Sequence, residues 1–194
     1  MLALLAMKSA TDSAPLTLVC HPQTPSRVIR AIEVVVGGGE NGSLTLAFAL
    51  EGELCALRIP ESRPPLRARD LWQHTCFEVF VMAGEGPGYR EFNFSPSSEW
   101  AAYTFRGYRE GGELELKMRP GIAVRRSGDR LELDAEIALD CLPPGRSLRL
   151  GLSAVVEDAD GVLSYWALRH PPGKPDFHHT DAFAFNGYCP EGVT

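Results

Sequence analysis

Apolar and polar residues alternate with a period of two through most of this chain. Leu44-Thr45-Leu46-Ala47-Phe48-Ala49-Leu50 sends its Leu and Phe side chains to one side. Leu131-Glu132-Leu133-Asp134-Ala135-Glu136-Ile137 alternates strictly, with its acids opposite the aliphatics. Leu114-Glu115-Leu116-Lys117-Met118 does the same, and residues 148–156 form a longer apolar run. Successive side chains of a strand point to opposite faces, so each segment predicts a half-buried strand. No window has the apolar spacing of a long amphipathic helix. The 15 Pro and 19 Gly fall mostly between the runs, as turns require. Val36-Gly37-Gly38-Gly39-Glu40-Asn41-Gly42 leads from one strand into another, which makes it a hairpin turn and not a phosphate loop. Short strands at regular spacing predict an all-β fold, an antiparallel sandwich or barrel.

Residues 70–111 are the most informative stretch. Cys76-Phe77-Glu78-Val79-Phe80-Val81 and Tyr89-Arg90-Glu91-Phe92-Asn93-Phe94 flank a Gly- and Pro-rich loop, and a third strand follows Ser95-Pro96-Ser97-Ser98. If the first loop closes symmetrically, Met82 faces Tyr89, Phe80 faces Glu91 and Glu78 faces Asn93. A four-residue second turn puts Asn93 opposite Trp100. One face then carries Trp72, His74, Cys76, Glu78, Phe80, Tyr89, Glu91, Asn93 and Trp100; the other carries Phe77, Val79, Val81, Phe92, Phe94, Ala101, Tyr103 and Phe105. The second face is core. The first is mixed, and a carboxylate half-buried on a sheet needs hydrogen-bond partners or a ligand. Trp rings beside a carboxylate and an amide have the chemistry of a sugar-binding face. A one-residue slip would exchange the faces, and each Trp has the alternative of simple core packing.

The 194 residues suit one domain, expected over 16–194 behind a poorly ordered segment at 1–15. A formal net charge of -6 without a Lys/Arg run argues against nucleic acid or an anionic membrane as partner. The five cysteines, Cys20, Cys55, Cys76, Cys141 and Cys189, are odd in number and widely spaced, which predicts reduced thiols in place of a disulfide framework or zinc site. The apolar start, Met1 to Lys8, is too short for a secretory core and lacks a basic lead, so a cytoplasmic protein is expected.

The segment from Leu71-Trp72 through Phe80, with Tyr89-Arg90-Glu91-Phe92-Asn93 and Ser95-Pro96, resembles the DOMON-like and family 9 carbohydrate-binding-module superfamily, in particular the bacterial stand-alone DOMON-like proteins. Ser164-Tyr165-Trp166-Ala167-Leu168 and the run from His170 to His179 are similar to the same group. The resemblance implies a jelly-roll β-sandwich. It also implies two Trp rings clamping a terminal sugar, here Trp72 and Trp166, with Glu78 and Asn93 binding hydroxyls. Glu91 stands where the superfamily's Arg is sought, and Arg90 lies on the opposite face. Other members bind haem through Met and His, for which this chain offers Met82, Met118 and His74 without a ligand pair at a recognisable spacing.

The sequence therefore predicts non-catalytic binding of a small molecule, above all a carbohydrate, through Trp72, Glu78, Arg90, Glu91, Asn93, Trp100 and Trp166, with no cofactor. Haem binding is the alternative ligand, and a sugar-processing enzyme using Glu78 and Glu91 is the alternative class. Asp176-Phe177-His178-His179-Thr180-Asp181 has metal-like composition, but adjacent His residues on a strand diverge, which favours loop hydrogen bonding. Glu157-Asp158-Ala159-Asp160-Gly161 lacks the spaced ligands of a calcium loop and reads as an Asp-Gly turn. No GxSxG elbow is present.

Overall fold

A computed structural model describes residues 14–84, 86–145 and 147–188. The expectations for the N-terminal start and for Cys189 concern residues outside these. Among the described residues there is no α-helix, and no helix is long and apolar enough to cross a membrane. In chain order the strands are β1 (Leu16–Thr17), β2 (Val19–Cys20), β3 (Ile29–Gly38), β4 (Leu44–Gly52), β5 (Cys76–Ala83), β6 (Tyr89–Phe94) and β7 (Trp100–Gly107). They continue as β8 (Glu110–Glu113), β9 (Gly121–Ser127), β10 (Arg130–Ile137), β11 (Leu148–Glu157), β12 (Leu163–Ala167) and β13 (Phe185–Tyr188).

They form two antiparallel sheets packed as a β-sandwich. The first has the order β1-β3-β4-β10-β9. The second runs β2-β12-β11-β5-β6-β7-β8, and β13 pairs with the part of β11 that β12 leaves free. The alternation explains the packing. Val34, Leu46, Phe48, Leu131 and Leu133 of the first sheet meet Phe77, Val79, Phe92, Leu152 and Ala154 of the second in one continuous core. Each such side chain, when fully buried, stabilises the fold by roughly 1.5–3 kcal/mol.

One expected strand is absent. Leu114 to Met118 alternates, yet β8 ends at Glu113 and the segment continues as an irregular connection to β9. Its period of two finds no partner strand, and a strand without a ladder leaves its backbone groups unpaired.

The outer face of the second sheet is covered in part by the connection between β12 and β13. A smaller apolar cluster holds this cover down, joining Phe80, Met82, Tyr89, Val155 and Ala167 of the sheet to Phe177 and Phe183 of the connection. The cover comes so close at Gly151 that an added Cβ would lie 3.3 Å from the Ala182 carbonyl oxygen. Where it stops short, a cavity of about 580 Å³ remains over the sheet.

Candidate functional site

The β5–β6 hairpin closes with Met82 opposite Tyr89, Phe80 opposite Glu91 and Glu78 opposite Asn93. That is the pairing read from the sequence, and it sets Glu78 and Glu91 as diagonal neighbours on the outer face. β11 extends the row, with Ser153 directly across from Glu78. Ala167 and Ala101 flank this row on either side.

The β6–β7 turn differs from expectation. It spans five residues, 95–99, so Phe94 pairs with Trp100 and Asn93 with Ala101. Ser98 adopts a left-handed conformation at φ 75°, and Ser95 N–H donates to the Glu99 carbonyl at 2.9 Å. The extra residue moves β7 by one place and exchanges its faces. Trp100 therefore turns into the core, while Tyr103 and Phe105 line the cavity.

The cavity floor is formed by Glu78, Phe80, Glu91 and Val155, and its walls by Tyr103, Phe105, Tyr165 and Phe177. Trp72 stands at the rim, 47% exposed, on a short 3₁₀ turn at Leu71–Gln73 that precedes β5. The expected strand thus begins at Cys76, after Trp72. Thr24, Asp70, Arg109, Lys174, Pro175 and His178 complete the lining.

Three predicted residues lie elsewhere. Arg90 is on the inner side of β6, where its guanidinium donates to the Cys141 carbonyl at 2.7 Å. Trp100 packs in the core beneath the Arg67 guanidinium, 5.5 Å from its ring centroid. Trp166 pairs with Ala154, is buried in the same core, and donates from its indole to Ser164 Oγ at 3.0 Å. Strand alternation on β12 sends its neighbour Tyr165 outward instead. Trp72, Glu78 and Glu91 are brought together around the cavity, and Asn93 is fully buried beside them. The missed residues are Tyr103, Phe105, Tyr165, Arg109, Lys174 and His178. The register slip hid the first two, and Tyr165 followed from any inward Trp166. The last three arrive on loops, and although the 170–181 stretch stood out by composition and resemblance, nothing local places any of the three over this sheet.

Polar contacts on this floor form a chain. Arg109 N–H donates to Tyr89 Oη at 3.1 Å, and Tyr89 Oη lies 2.8 Å from His178 Nδ1. On the other side of the imidazole, His178 Nε2 lies 3.7 Å from Glu91 Oε2. Asn93 donates to Glu91 Oε1 at 2.8 Å. Arg109 is held by Asp176 at 3.0 Å, and Tyr108 donates to the same carboxylate at 2.7 Å.

Burial pushes the Glu91 carboxyl up to about 7, against the opposing pull of Asn93 and Arg109. Glu78 rises well above the carboxylate range, first through burial and then through the Glu91 charge. Burial and the Arg109 charge lower His178 to about 4, so near neutrality its contact with Glu91 is not an ion pair. Ser153 draws Glu78 slightly down, yet neither Ser153 Oγ nor Glu78 Oε1 makes a well-formed hydrogen bond, and Asn93 Oδ1 is likewise open. Unsatisfied buried acceptors cost free energy unless a donor reaches them.

The structure does not collect the haem-ligand candidates. His74 sits before β5 and is bound to Glu157 Oε2 at 2.7 Å. Met82 is at the far end of β5, about 20 Å along the strand from its start at Cys76 by the rise per residue, where its sulfur accepts from Arg149 at 3.1 Å. Met118 is exposed in the connection after β8. Among the described residues no three His, Cys, Asp or Glu side chains gather as a metal site would require. In the 176–181 segment, Asp176 accepts from His178 N–H and His179 accepts from Asp181 N–H. The Asp158–Gly161 segment is a turn in which Asp158 accepts from Asp160 and Val162 N–H.

No protein-family model matches the chain, and comparison with curated proteins finds no significant relative. Among solved structures, the fold is similar to that of a "putative carbohydrate-binding protein" from Bacteroides uniformis, known from a 2.70 Å crystal structure. The TM-score is 0.64 at 15% sequence identity, covering 89% of this chain and 83% of that one. At this identity the likeness concerns the fold.

Proposed function

We propose that this protein is a non-catalytic domain that binds a small carbohydrate in the cavity over the second sheet. Trp72 would stack on the sugar at the rim, while Glu78 and Glu91 would take its hydroxyls on the floor, with Asn93 holding Glu91 in place. The observation that carries this reading is the composition of the cavity: aromatic walls around two buried carboxyls, one with an open acceptor. Such a lining suits a ligand with apolar ring faces and hydroxyl edges. The volume of about 580 Å³ suits one or two sugar rings, and the fold-level likeness to the Bacteroides protein points the same way.

The specific family relationship suggested by the sequence motifs belongs to this proposal too, with a changed inventory. Trp166, Trp100 and Arg90 drop out of the proposed contacts, and Tyr103, Tyr165 and Arg109 enter.

A second reading, a sugar-processing enzyme, is favoured by the raised pKa values of Glu78 and Glu91. Both carboxyls, however, rise from adjacent strands of one floor, whereas glycoside hydrolysis uses two that flank the scissile bond. The test is a thermal-shift and calorimetric screen against monosaccharides and short oligosaccharides, with nitrophenyl glycosides as chromogenic substrates. Binding raises the melting temperature by mass action. We expect a sugar that stabilises the wild type, a Trp72→Ala variant that does not respond, and no nitrophenol release. Sustained turnover that Glu78→Gln removes would establish the enzyme instead.

A further inference from the structure

We propose that the Glu78–Glu91 floor is a subsite for a protonated primary amine, so that the carbohydrate this cavity selects is an amino sugar with its amine free. The inference rests on the carbohydrate reading of the same cavity and narrows it. Two carboxyls, 2% and 5% exposed, stand as diagonal neighbours on one face, and among the described residues no Lys or Arg forms an ion pair with either. The nearest guanidinium in the cavity, Arg109, is engaged by Asp176. Lys174 is exposed at the mouth.

The hydrogen-bond count agrees. Across the row of Ser153, Glu78 and Asn93, the open atoms are one hydroxyl and two acceptors. Asn93 has already spent an N–H on Glu91. A sugar hydroxyl brings one donor and two acceptor lone pairs, whereas an ammonium brings three donors and no acceptor. The walls complete the match, because Tyr103, Phe105, Tyr165, Phe177 and Trp72 surround the floor, and aromatic side chains can attract a cation. An N-acetylated amine offers one weak donor and no charge, and its added bulk would press on the same floor.

Without a cation, the floor holds protons instead. Burial raises both carboxyls, so an ammonium entering near neutrality favours the ionised form of the pair, and the proton that it displaces goes to the buffer. Several of the other groups facing the pair are shifted away from neutrality. Cys76 on β5, Tyr89 on β6, Tyr103 on β7 and Tyr165 on β12 are all raised. His178 is lowered to about 4 and Asp176 is lowered. Asp70, Arg109 and Lys174 line the mouth and sides.

Isothermal titration calorimetry at pH 6.5, in phosphate and in Bis-Tris, tests this with glucosamine, N-acetylglucosamine, glucose and cyclohexylammonium, a ring amine without hydroxyls. We expect glucosamine to bind at least tenfold tighter than glucose or N-acetylglucosamine, a difference of 1.4 kcal/mol. Its apparent enthalpy differs between the buffers, reporting proton release. Glu78→Gln and Glu91→Gln each lower the preference toward one. The two variants are independent and near-isosteric, so a folding failure in one leaves the other informative. Equal affinity for glucose and glucosamine without proton release overturns the amine subsite while the carbohydrate reading stands. Equal affinity for cyclohexylammonium and glucosamine upholds the subsite and overturns the carbohydrate reading. No heat from any of the four overturns both.

Discussion

Glu91→Gln tests the buried floor through the pH dependence of stability. The Glu91 carboxyl titrates at 4.5 when free and about 7 in the folded protein. Between those values the folded state keeps a proton that the unfolded chain has lost. The stability that proton contributes is fully present below pH 4.5 and is lost as the pH rises through about 7. At 1.36 kcal/mol per pH unit, the loss between pH 5 and pH 8 is about 2–3 kcal/mol. His178 acts with the opposite sign. Its imidazole falls from 6.5 to about 4, so its contribution is present above pH 6.5 and lost as the pH falls toward 4. Over the same interval it adds about 2 kcal/mol as the pH rises. These two slopes oppose each other in the wild type, and the raised Glu78 carboxyl adds to the Glu91 slope. Gln keeps the acceptor for the Asn93 N–H and removes the Glu91 slope. Glu78 loses a like-charged neighbour, which works in the same direction. Urea midpoints measured at each pH with an unchanged m-value give the comparison. Relative to the wild type, the variant should gain about 2–3 kcal/mol from pH 5 to pH 8, or about 5–10 °C in melting temperature for a chain of this size. Parallel wild-type and variant curves would refute the reasoning, because they would mean that Glu91 is solvated in the folded protein.

The two kinds of Trp should separate cleanly. Trp166→Ala empties a core position and should cost about 3–5 kcal/mol in urea unfolding, whereas Trp72→Ala should stay within about 0.5 kcal/mol while weakening ligand binding in calorimetry. Gly151→Val drives a side chain toward the Ala182 carbonyl, which an added Cβ alone already meets at 3.3 Å. It should cost about 1–3 kcal/mol and increase amide hydrogen exchange across 177–183, and unchanged exchange there would count against the cover being held by this contact. Ser98→Gly relieves the left-handed conformation at φ 75° and should raise stability by a few tenths to about 1 kcal/mol, since relief of the Cβ clash exceeds the entropy of the freer unfolded chain. A drop in the melting temperature would show that the Ser98 side chain stabilises the turn.

The sequence by itself determined what depends on a period of two and on one loop of symmetrical closure. The sandwich class, β4, β10 and β11, and the pairing of Glu78 with Asn93 and Phe80 with Glu91 were all legible, because alternation is local and the Gly-rich loop leaves the β5–β6 register to the apolar match. Tertiary structure decided the rest. One residue in the turn before Trp100, accommodated by Ser98, reversed the faces of β7, since a strand has no memory of face beyond its register. Trp166 went inward because its partner Ala154 packs in the core, a fact invisible in its own segment. Leu114 to Met118 alternates like a strand, but after Leu114 N–H reaches the Ala102 carbonyl no ladder continues. Above all, the cavity exists because the segment between β12 and β13 carries Lys174, Phe177 and His178 back over a sheet face formed about 80 to 100 residues earlier in the chain. Pairing rules act between adjacent strands. The placement of such a cover follows from which apolar side chains it can bury, and that is settled only when the whole chain has packed.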